Sequence, residues 1–235
     1  MKKKRYCRTL YPAARRLVDD GTPRARMAIQ NKYAWEPGDT VTYWFYDNPK
    51  RWVGKRSEMD AVRRAFAVWK AVGINLDFAE VADRKRADLR IGFDYDDDSY
   101  SALGYDCRSW KRGPTMNFGV NVVKEFDTAL HEIGHALGFP HEHQNPNAGI
   151  VWDEEAVYAW YADPPNEWDR PGTFENIIQK FEMRGHEASA WDPNSIMHYD
   201  FDAGLILEPP RFRKGLTPKG GLSARDKKMA RQFYP

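Results

Sequence analysis

Residues 131–141 read His-Glu-Ile-Gly-His-Ala-Leu-Gly-Phe-Pro-His. His131 and His135 are four residues apart, so on a helix their side chains lie one turn apart on the same face. Glu132 completes the pattern H-E-x-x-H, in which two imidazoles bind zinc and the carboxylate handles protons. The stretch therefore predicts a helix that carries a metal site.

The residues after His135 extend the pattern to a third histidine. Gly138 can take the left-handed backbone conformation that ends a helix, so the chain can turn and bring His141 back to the same point. Three protein ligands leave the fourth position of a tetrahedral zinc ion to water, which is typical of a catalytic site. We expect one catalytic zinc ion bound by His131, His135 and His141, with Glu132 as general base and acid.

The composition allows a folded enzyme and points to no other class of partner. The chain has 235 residues, of which 42% are hydrophobic, and its formal net charge is +2. This is enough apolar material for one large domain or two lobes around a cleft, and too much for a disordered chain. A balanced charge gives no argument for nucleic acid or an anionic membrane, and no stretch approaches the length of a membrane span. Neither partner is expected.

The basic charge is concentrated near the beginning of the chain. Residues 1–26 contain nine Lys or Arg residues and two Asp residues. Either this segment is a removable or partner-binding arm, or it is a solvated tail, which we favour. No apolar stretch follows residues 1–5, so the segment does not resemble a secretory signal peptide. We divide the chain into a basic arm over 1–30 and a single catalytic domain over 31–235.

The chain contains two cysteines, Cys7 and Cys107. They could form one disulfide, although sequence alone does not give their separation in space. Alternatively, the thiolate of Cys7 could cap the zinc ion and hold the enzyme latent. Two ordinary thiols are the interpretation that the sequence favours.

Hydrophobic patterning over the first 140 residues predicts the order β-α-β-β-β-α. Such an order is typical of a parallel or mixed sheet with helices packed on it. The predicted elements are a strand over 41–46, a helix from a capping box at 57–60 to Gly73, strands over 74–78, 89–93 and 115–120, and the zinc helix over about 127–137.

The pattern becomes irregular after His141. Short helical pieces are expected at 154–161 and 175–181, and a capping signal at 222–226 predicts a terminal helix that buries Met229 and Phe233. The catalytic domain is thus expected to have an N-terminal lobe over about 31–140 and a C-terminal lobe over about 141–235. The cleft should lie between the two lobes, with zinc at its floor.

Two motifs carry a family resemblance. With Phe139 and Glu142, the histidine stretch reads H-E-x-x-H-x-x-G-F-x-H-E and resembles the astacin branch of the metzincin peptidases. Residues 195–199, Ser-Ile-Met-His-Tyr, are similar to the astacin Met-turn, S-x-M-H-Y. The two motifs occur in the family's order, and the resemblance covers about 26–235. Because two cysteines cannot form the two disulfides of animal astacins, the chain looks like a microbial, disulfide-poor member.

This resemblance implies an α+β fold: a twisted mixed sheet with two long helices in the N-terminal lobe, and an irregular, mostly helical C-terminal lobe. It implies a monomeric zinc endopeptidase that binds protein or peptide substrates in an extended conformation. Residues 115–120 are either the edge strand that pairs with substrate, which the resemblance favours, or buried sheet. Met197 would support the histidines from below, and Tyr199 would be an extra zinc ligand that swings out to stabilise the transition state. The compartment stays open, with an extracellular location favoured by the resemblance.

Other polar residues have simpler interpretations. His143 misses the third-ligand spacing by two residues, His198 is expected to pack or form hydrogen bonds, and His186 is expected at the surface. The acidic residues over 94–98 could bind calcium, but a solvated loop fits their spacing better.

Two competing functions remain at this point. A zinc-binding module without catalysis is disfavoured by the intact Glu132, because the ligands alone would suffice for binding. A zinc hydrolase that acts on non-peptide amides or esters is disfavoured by the Met-turn.

Overall fold

A computed structural model describes residues 7, 33–181 and 189–235 of the chain. Its main sheet has five strands in the order β2-β1-β3-β5-β4. The pairs β1–β2, β1–β3 and β3–β5 are parallel, and β4 pairs antiparallel with β5. The strands are β1 (Thr40–Phe45), β2 (Asp77–Glu80), β3 (Leu89–Gly92), β4 (Tyr100–Ser101) and β5 (Met116–Asn117).

Two long helices pack against each other in this lobe, α1 (Arg56–Lys70) and α2 (Phe126–Ala136). Both are amphipathic, so each buries an apolar face in the core shared with the sheet. The mixed sheet and the two helices confirm the α+β fold that the sequence predicts.

Side chains from three parts of the chain hold α2 in place. The indole of Trp69 donates to the backbone oxygen of Leu130 over 3.0 Å, and that of Trp35 donates to Ala136 over 2.8 Å. The hydroxyl of Tyr234 donates to the carbonyl of Leu137 over 2.6 Å. The last two bonds satisfy carbonyls that the end of a helix leaves unpaired, so they fix where α2 stops.

Two sequence predictions in this lobe were wrong in position. Helix α1 begins at Arg56, one residue before the predicted cap, because the Glu58 carboxylate accepts from the backbone nitrogen of Lys55 over 2.9 Å. Strand β2 begins at Asp77, and Ile74 and Leu76 are buried before it.

The predicted edge strand was also wrong. Strand β5, within the predicted 115–120, lies between β3 and β4, so both of its sides are paired. The edge next to it is the two-residue strand β4, which is too short to produce a hydrophobic pattern in the sequence.

The second lobe is irregular, as predicted, and contains a small sheet that sequence did not indicate. Its helices are α3 (Glu154–Ala162), α4 (Arg170–Thr173), which continues as a π-turn over Phe174–Ile178, and α5 (Ala224–Phe233). Strands β6 (Val151–Trp152) and β7 (Ile206–Glu208) pair antiparallel. A second hydrophobic core, separate from the first, contains Trp152, Tyr161 and Phe201.

Helix α5 packs away from this second core. Its residues Ala230 and Phe233 belong to the first core, and the backbone oxygen of Tyr234 accepts from the nitrogen of Asn75 over 3.0 Å. Ser223 caps α5 and Asp226 completes the capping box, as the sequence predicts. The end of the chain is therefore built into the lobe that carries α2.

The described residues contain no helix that is both long enough and apolar enough to cross a membrane. Cys7 and Cys107 are both free, so the disulfide alternative was wrong. His186, which was predicted at the surface, and most of the basic arm lie outside the described residues.

Gly104 offers a test of how the end of α2 is packed. Its φ is +50°, and a β-carbon there would overlap the backbone oxygen of Tyr33 and press on the Cα of Gly138. We expect Gly104→Ala to lower the free energy of unfolding by about 3 kcal/mol or more. Gly113 (φ +70°) has no atoms within 4 Å of that position, so Gly113→Ala should cost only about 1 kcal/mol of strain. Urea denaturation of both variants measures the difference, and equal losses would contradict this packing.

Candidate metal centre

Three imidazoles face one another at the base of the cleft. The ring centroids of His131 and His135, one turn apart on α2, are 4.6 Å apart. Gly138 has φ +89°, and beyond it the chain returns so that the His141 ring lies 4.6 Å from that of His135 and 5.4 Å from that of His131. The Nε2 atoms of His135 and His141 are 3.1 Å apart. Two nitrogens bound to one tetrahedral zinc ion would be separated by about 3.3 Å.

Backbone carbonyls orient two of these rings. Nδ1 of His131 lies 2.7 Å from the oxygen of Ile196, and Nδ1 of His135 lies 2.7 Å from the oxygen of Phe139. Because a carbonyl only accepts, each Nδ1 must carry the proton, which leaves the lone pair on Nε2. Both rings therefore direct their metal-binding nitrogen into the site.

Burial keeps all three imidazoles neutral. It lowers the pKa of His131 to about 4, and it holds the pKa of His135 and of His141 well below the usual range. Neutral imidazole is the form that binds metal. Repulsion from the neighbouring histidines, when these are protonated, lowers the pKa of His135 and of His141 further.

The donor atoms fit a zinc ion. One ligand atom each from Cys7, His131, His135 and His141 lie within 4.8 Å of one another, and all four residues are buried. Among the described residues, nothing bonds to Nε2 of His131 or to Oε1 of Glu132, although both atoms are buried. Buried polar atoms are normally partnered, so these two mark a place for a bound group. Imidazole and thiolate donors in this number suit zinc.

Glu132 lies beside this group. It is fully buried, its Oε2 accepts from the Cys7 thiol over 3.4 Å, and burial raises the pKa of its carboxyl to about 8. The charge of Asp98 acts in the same direction, whereas the bond from Cys7 opposes it. A divalent cation next to Glu132 would favour the carboxylate and reverse the effect of burial.

The segment 195–199 closes the site from the other side. The Tyr199 ring lies 4.4 Å from that of His141, and its hydroxyl donates to the backbone oxygen of Cys7. A β-carbon on Gly134 would overlap the sulfur of Met197, so glycine on α2 lets this methionine lie against the helix that carries two of the histidines.

Two further histidines of the described ranges, His143 and His198, lie outside the group. Nε2 of His143 faces the backbone oxygen of Asn176 at 2.9 Å, and its ring stacks on His141. His198 is buried, with Nδ1 2.8 Å from the oxygen of Tyr199. Within the described ranges, the histidine–cysteine group is the only cluster of three or more potential metal-binding side chains found, so the acidic residues over 94–98 form none.

A cleft of about 470 Å³ opens above the site. Its floor includes Cys7, His131 and Glu132. The wall from the first lobe includes Ser99, Val120 and Phe126. The wall from the second lobe includes Ile196, Tyr199 and Thr217. This is the position that the sequence predicts for the cleft.

Cys7 is the residue whose place sequence reasoning underestimated. Its side chain is 8% exposed and belongs to the second hydrophobic core, so the arm is not solvated at this point. Burial, followed by the charge of Glu132, raises the pKa of the thiol well above its usual value. In the sequence, the only indication of this position is a single cysteine in an arm that precedes a zinc motif. One cysteine is a weak signal for a contact between such distant segments.

Comparisons with known proteins identify the family. The Matrixin (Peptidase_M10) family matches residues 34–108, which end before α2. The solved structure of myroilysin superposes with a TM-score of 0.78 and is 31% identical, covering 88% of this chain and 98% of that one. This chain is an astacin-like metzincin. It is therefore a zinc metalloendopeptidase, and its substrates are proteins or peptides.

More distant proteins share part of the sequence or the fold. Nematocyst expressed protein 6 of Nematostella vectensis is 24% identical over 224 residues, covering 89% of this chain and 68% of that protein. High choriolytic enzyme 1, a hatching enzyme zinc-protease from the medaka fish Oryzias latipes, shares the fold with a TM-score of 0.55 at 17% identity, covering 87% of this chain and 95% of that one. The chain spans only 33% of human matrix metalloproteinase-23, a relative with much additional sequence.

Proposed function

We propose that residues 31–235 form a monomeric catalytic domain that hydrolyses peptide bonds with one zinc ion held by His131, His135 and His141. The observation that carries this proposal is the convergence of three neutral imidazoles next to Glu132, whose Oε1 has no partner among the described residues. When bound, the metal supplies Lewis-acid chemistry, which acidifies a water molecule and polarises a substrate carbonyl.

In this proposal Glu132 moves the proton. As a carboxylate it would accept a proton from the attacking water, and it would then pass that proton to the departing amine. Its position inside α2, directly after His131 and fully buried, suits a group that must act next to the metal. No covalent acyl-enzyme is needed.

Tyr199 would stabilise the charge that develops on the substrate oxygen. Its ring packs against His141, and its hydroxyl already reaches the polar floor of the cleft, where it meets the backbone of Cys7. A hydroxyl donor aimed at an oxyanion in a site with little water contributes more than it would in solution. Met197 would support the histidines without taking part in the chemistry.

The substrate would bind as an added strand on β4. This strand is one of the two edges of the sheet, and it directly follows Ser99, which lines the cleft. An extended peptide can pair with such an edge through its backbone, whatever its side chains are. We therefore expect protein substrates to be bound in an extended conformation.

Cys7 would keep the enzyme latent. Its sulfur lies within 4.8 Å of a ring nitrogen of each of the three histidines. Its backbone oxygen accepts a hydrogen bond from the Tyr199 hydroxyl. A coordinated thiol is deprotonated, so bound zinc would reverse the effect of burial on its pKa. Water and substrate would then be excluded until the arm leaves the cleft. This is the capping alternative that the sequence left open.

Glu132→Gln tests the general base. The amide has the same shape but cannot accept the proton, so we expect cleavage of a denatured protein to fall about 10²- to 10⁴-fold with zinc content unchanged. The variant is compared in the Cys7→Ser background, so that the cap does not mask activity, and with chelator-treated enzyme. Glu154→Gln, an exposed carboxylate on α3, is the matched control. Equal cleavage with and without the Glu132 carboxylate would refute this role.

Tyr199→Phe tests the oxyanion donor. In the same background we expect about a 10²-fold loss of kcat, because one donor to the oxyanion is removed while the ring packing remains. Zinc content should not change. Tyr158→Phe, on α3 and remote from the cleft, serves as the control. Loss of zinc in place of rate would show that Tyr199 is needed to bind the metal.

Cys7→Ser tests latency. We expect the variant to be at least about tenfold more active than wild type, since ~1.4 kcal/mol of stabilisation already keeps nine in ten molecules closed. Cys107→Ser is the matched control, because this buried, free thiol lies in a short helix over Gly104–Ser109, outside the metal group. Initial rates on a denatured protein give the comparison. The latency proposal fails if both variants match wild type.

A further inference from the structure

We infer that Asp226, on the C-terminal helix, is a positioning residue for the zinc ligand His131. It acts through the turn at residues 195–197. The inference rests on the proposed function only in taking His131 as a ligand. Asp226 is 95 positions away from that histidine in the sequence, and its helix lies outside the cleft.

The carboxylate of Asp226 does more than cap its own helix. One oxygen, Oδ2, accepts from the backbone nitrogen of Ser223 over 2.8 Å, which is the ordinary bond of a capping box. The same oxygen also accepts from the nitrogen of Ile196 over 2.9 Å. The other oxygen, Oδ1, accepts from the hydroxyl of Ser195 over 2.6 Å. Two of its three bonds therefore leave α5 and reach the turn.

Those bonds fix the direction of one hydroxyl. Ser195 has a single hydroxyl proton, and it goes to Asp226, which leaves the lone pairs of Oγ facing the turn. There Oγ accepts from the backbone nitrogen of Met197 over 3.0 Å. Because a carboxylate is only an acceptor, it sets this polarity, and the hydroxyl cannot reverse its roles while the contact lasts.

The turn passes this orientation to the histidine. The nitrogen of Met197 and the oxygen of Ile196 belong to the same planar, trans peptide group, so holding one end fixes the other. The oxygen of Ile196 accepts from Nδ1 of His131 over 2.7 Å. The chain of contacts thus runs from Asp226 through Ser195 and one peptide to His131, and it ends on the bond that keeps the proton on Nδ1.

The environment supports this role for Asp226. Burial has the largest effect and leaves the pKa of its carboxyl raised, whereas the bonds from Ser195, Ile196 and Ser223 lower the pKa, so these donors offset part of the cost of placing a charge here. Outer partners of metal-binding histidines fix ring orientation, and their loss typically weakens metal affinity or activity 10- to 100-fold.

The test compares Asp226→Ala with Ser223→Ala, and the readout is zinc affinity by competition with a chelator. Both variants remove part of the same helix cap, and Ser223→Ala also removes a 2.7 Å bond to the Asp192 carboxylate. Only Asp226→Ala removes the direct contacts to residues 195–197. We expect Asp226→Ala to bind zinc about 10- to 100-fold more weakly, and Ser223→Ala to match wild type. The cobalt(II)-substituted protein should show a changed visible spectrum for Asp226→Ala alone.

Ser195→Ala is a second test of the same chain of contacts, and it does not depend on whether Asp226→Ala folds. It breaks the same chain of contacts one step closer to His131, so it should weaken zinc binding to a similar extent. The double variant should lose no more than the larger single loss, because both changes act on one pathway. Additive losses, or equal losses in Asp226→Ala and Ser223→Ala, would assign Asp226 to helix capping only.

His131→Ala separates this inference from the proposed function. If His131→Ala retains zinc with wild-type affinity, the proposed ligand set fails. If His131→Ala loses zinc while Asp226→Ala and Ser195→Ala bind it as wild type does, the positioning role alone is overturned.

Discussion

Three imidazoles can meet at one metal ion only if each presents a lone pair to the same point, and for two of them, His131 and His135, a backbone carbonyl imposes this orientation. These carbonyls belong to Phe139, just after α2, and to Ile196, in the Met-turn. A ring that lost its carbonyl could turn its Nδ1–H into the site in place of the lone pair. A few bonds from distant side chains hold the segments that carry these two carbonyls.

The means of holding them are distributed along the chain. The side chains of Trp35 and Tyr234 bond to the last carbonyls of α2 and fix where it stops, so Phe139 lies in a defined place. The backbone nitrogen of Glu142 donates to the oxygen of Met197 over 2.9 Å, which ties the residue after His141 to the same turn. Helix α5 supports that turn from outside. The proposed ligands are therefore surrounded by bonds from both ends of the catalytic domain.

Burial has opposite consequences for the different groups of the site. It keeps the histidines neutral, which favours metal binding. It also raises the pKa of Glu132 and of Cys7, which favours the protonated carboxyl and thiol, whereas a general base and a zinc ligand must be deprotonated. One divalent cation resolves this conflict, because its charge favours the carboxylate and the thiolate without affecting a neutral ring. The same low-dielectric pocket can then serve both states that we propose, the active one with Glu132 and the latent one with Cys7.

Local sequence patterns were sufficient to predict some structural features of this protein and insufficient to predict others. The sequence by itself determined α2, the turn at Gly138, the spacing of three histidines and the cap of α5, because each follows from residues within a few positions of one another. Only the tertiary structure decided that β4 is an edge strand, that α5 packs on the first lobe, that Cys7 enters the histidine group and that Asp226 reaches the Met-turn. Those are contacts between distant segments, and they depend on how two hydrophobic cores pack together, which no short-range periodicity encodes.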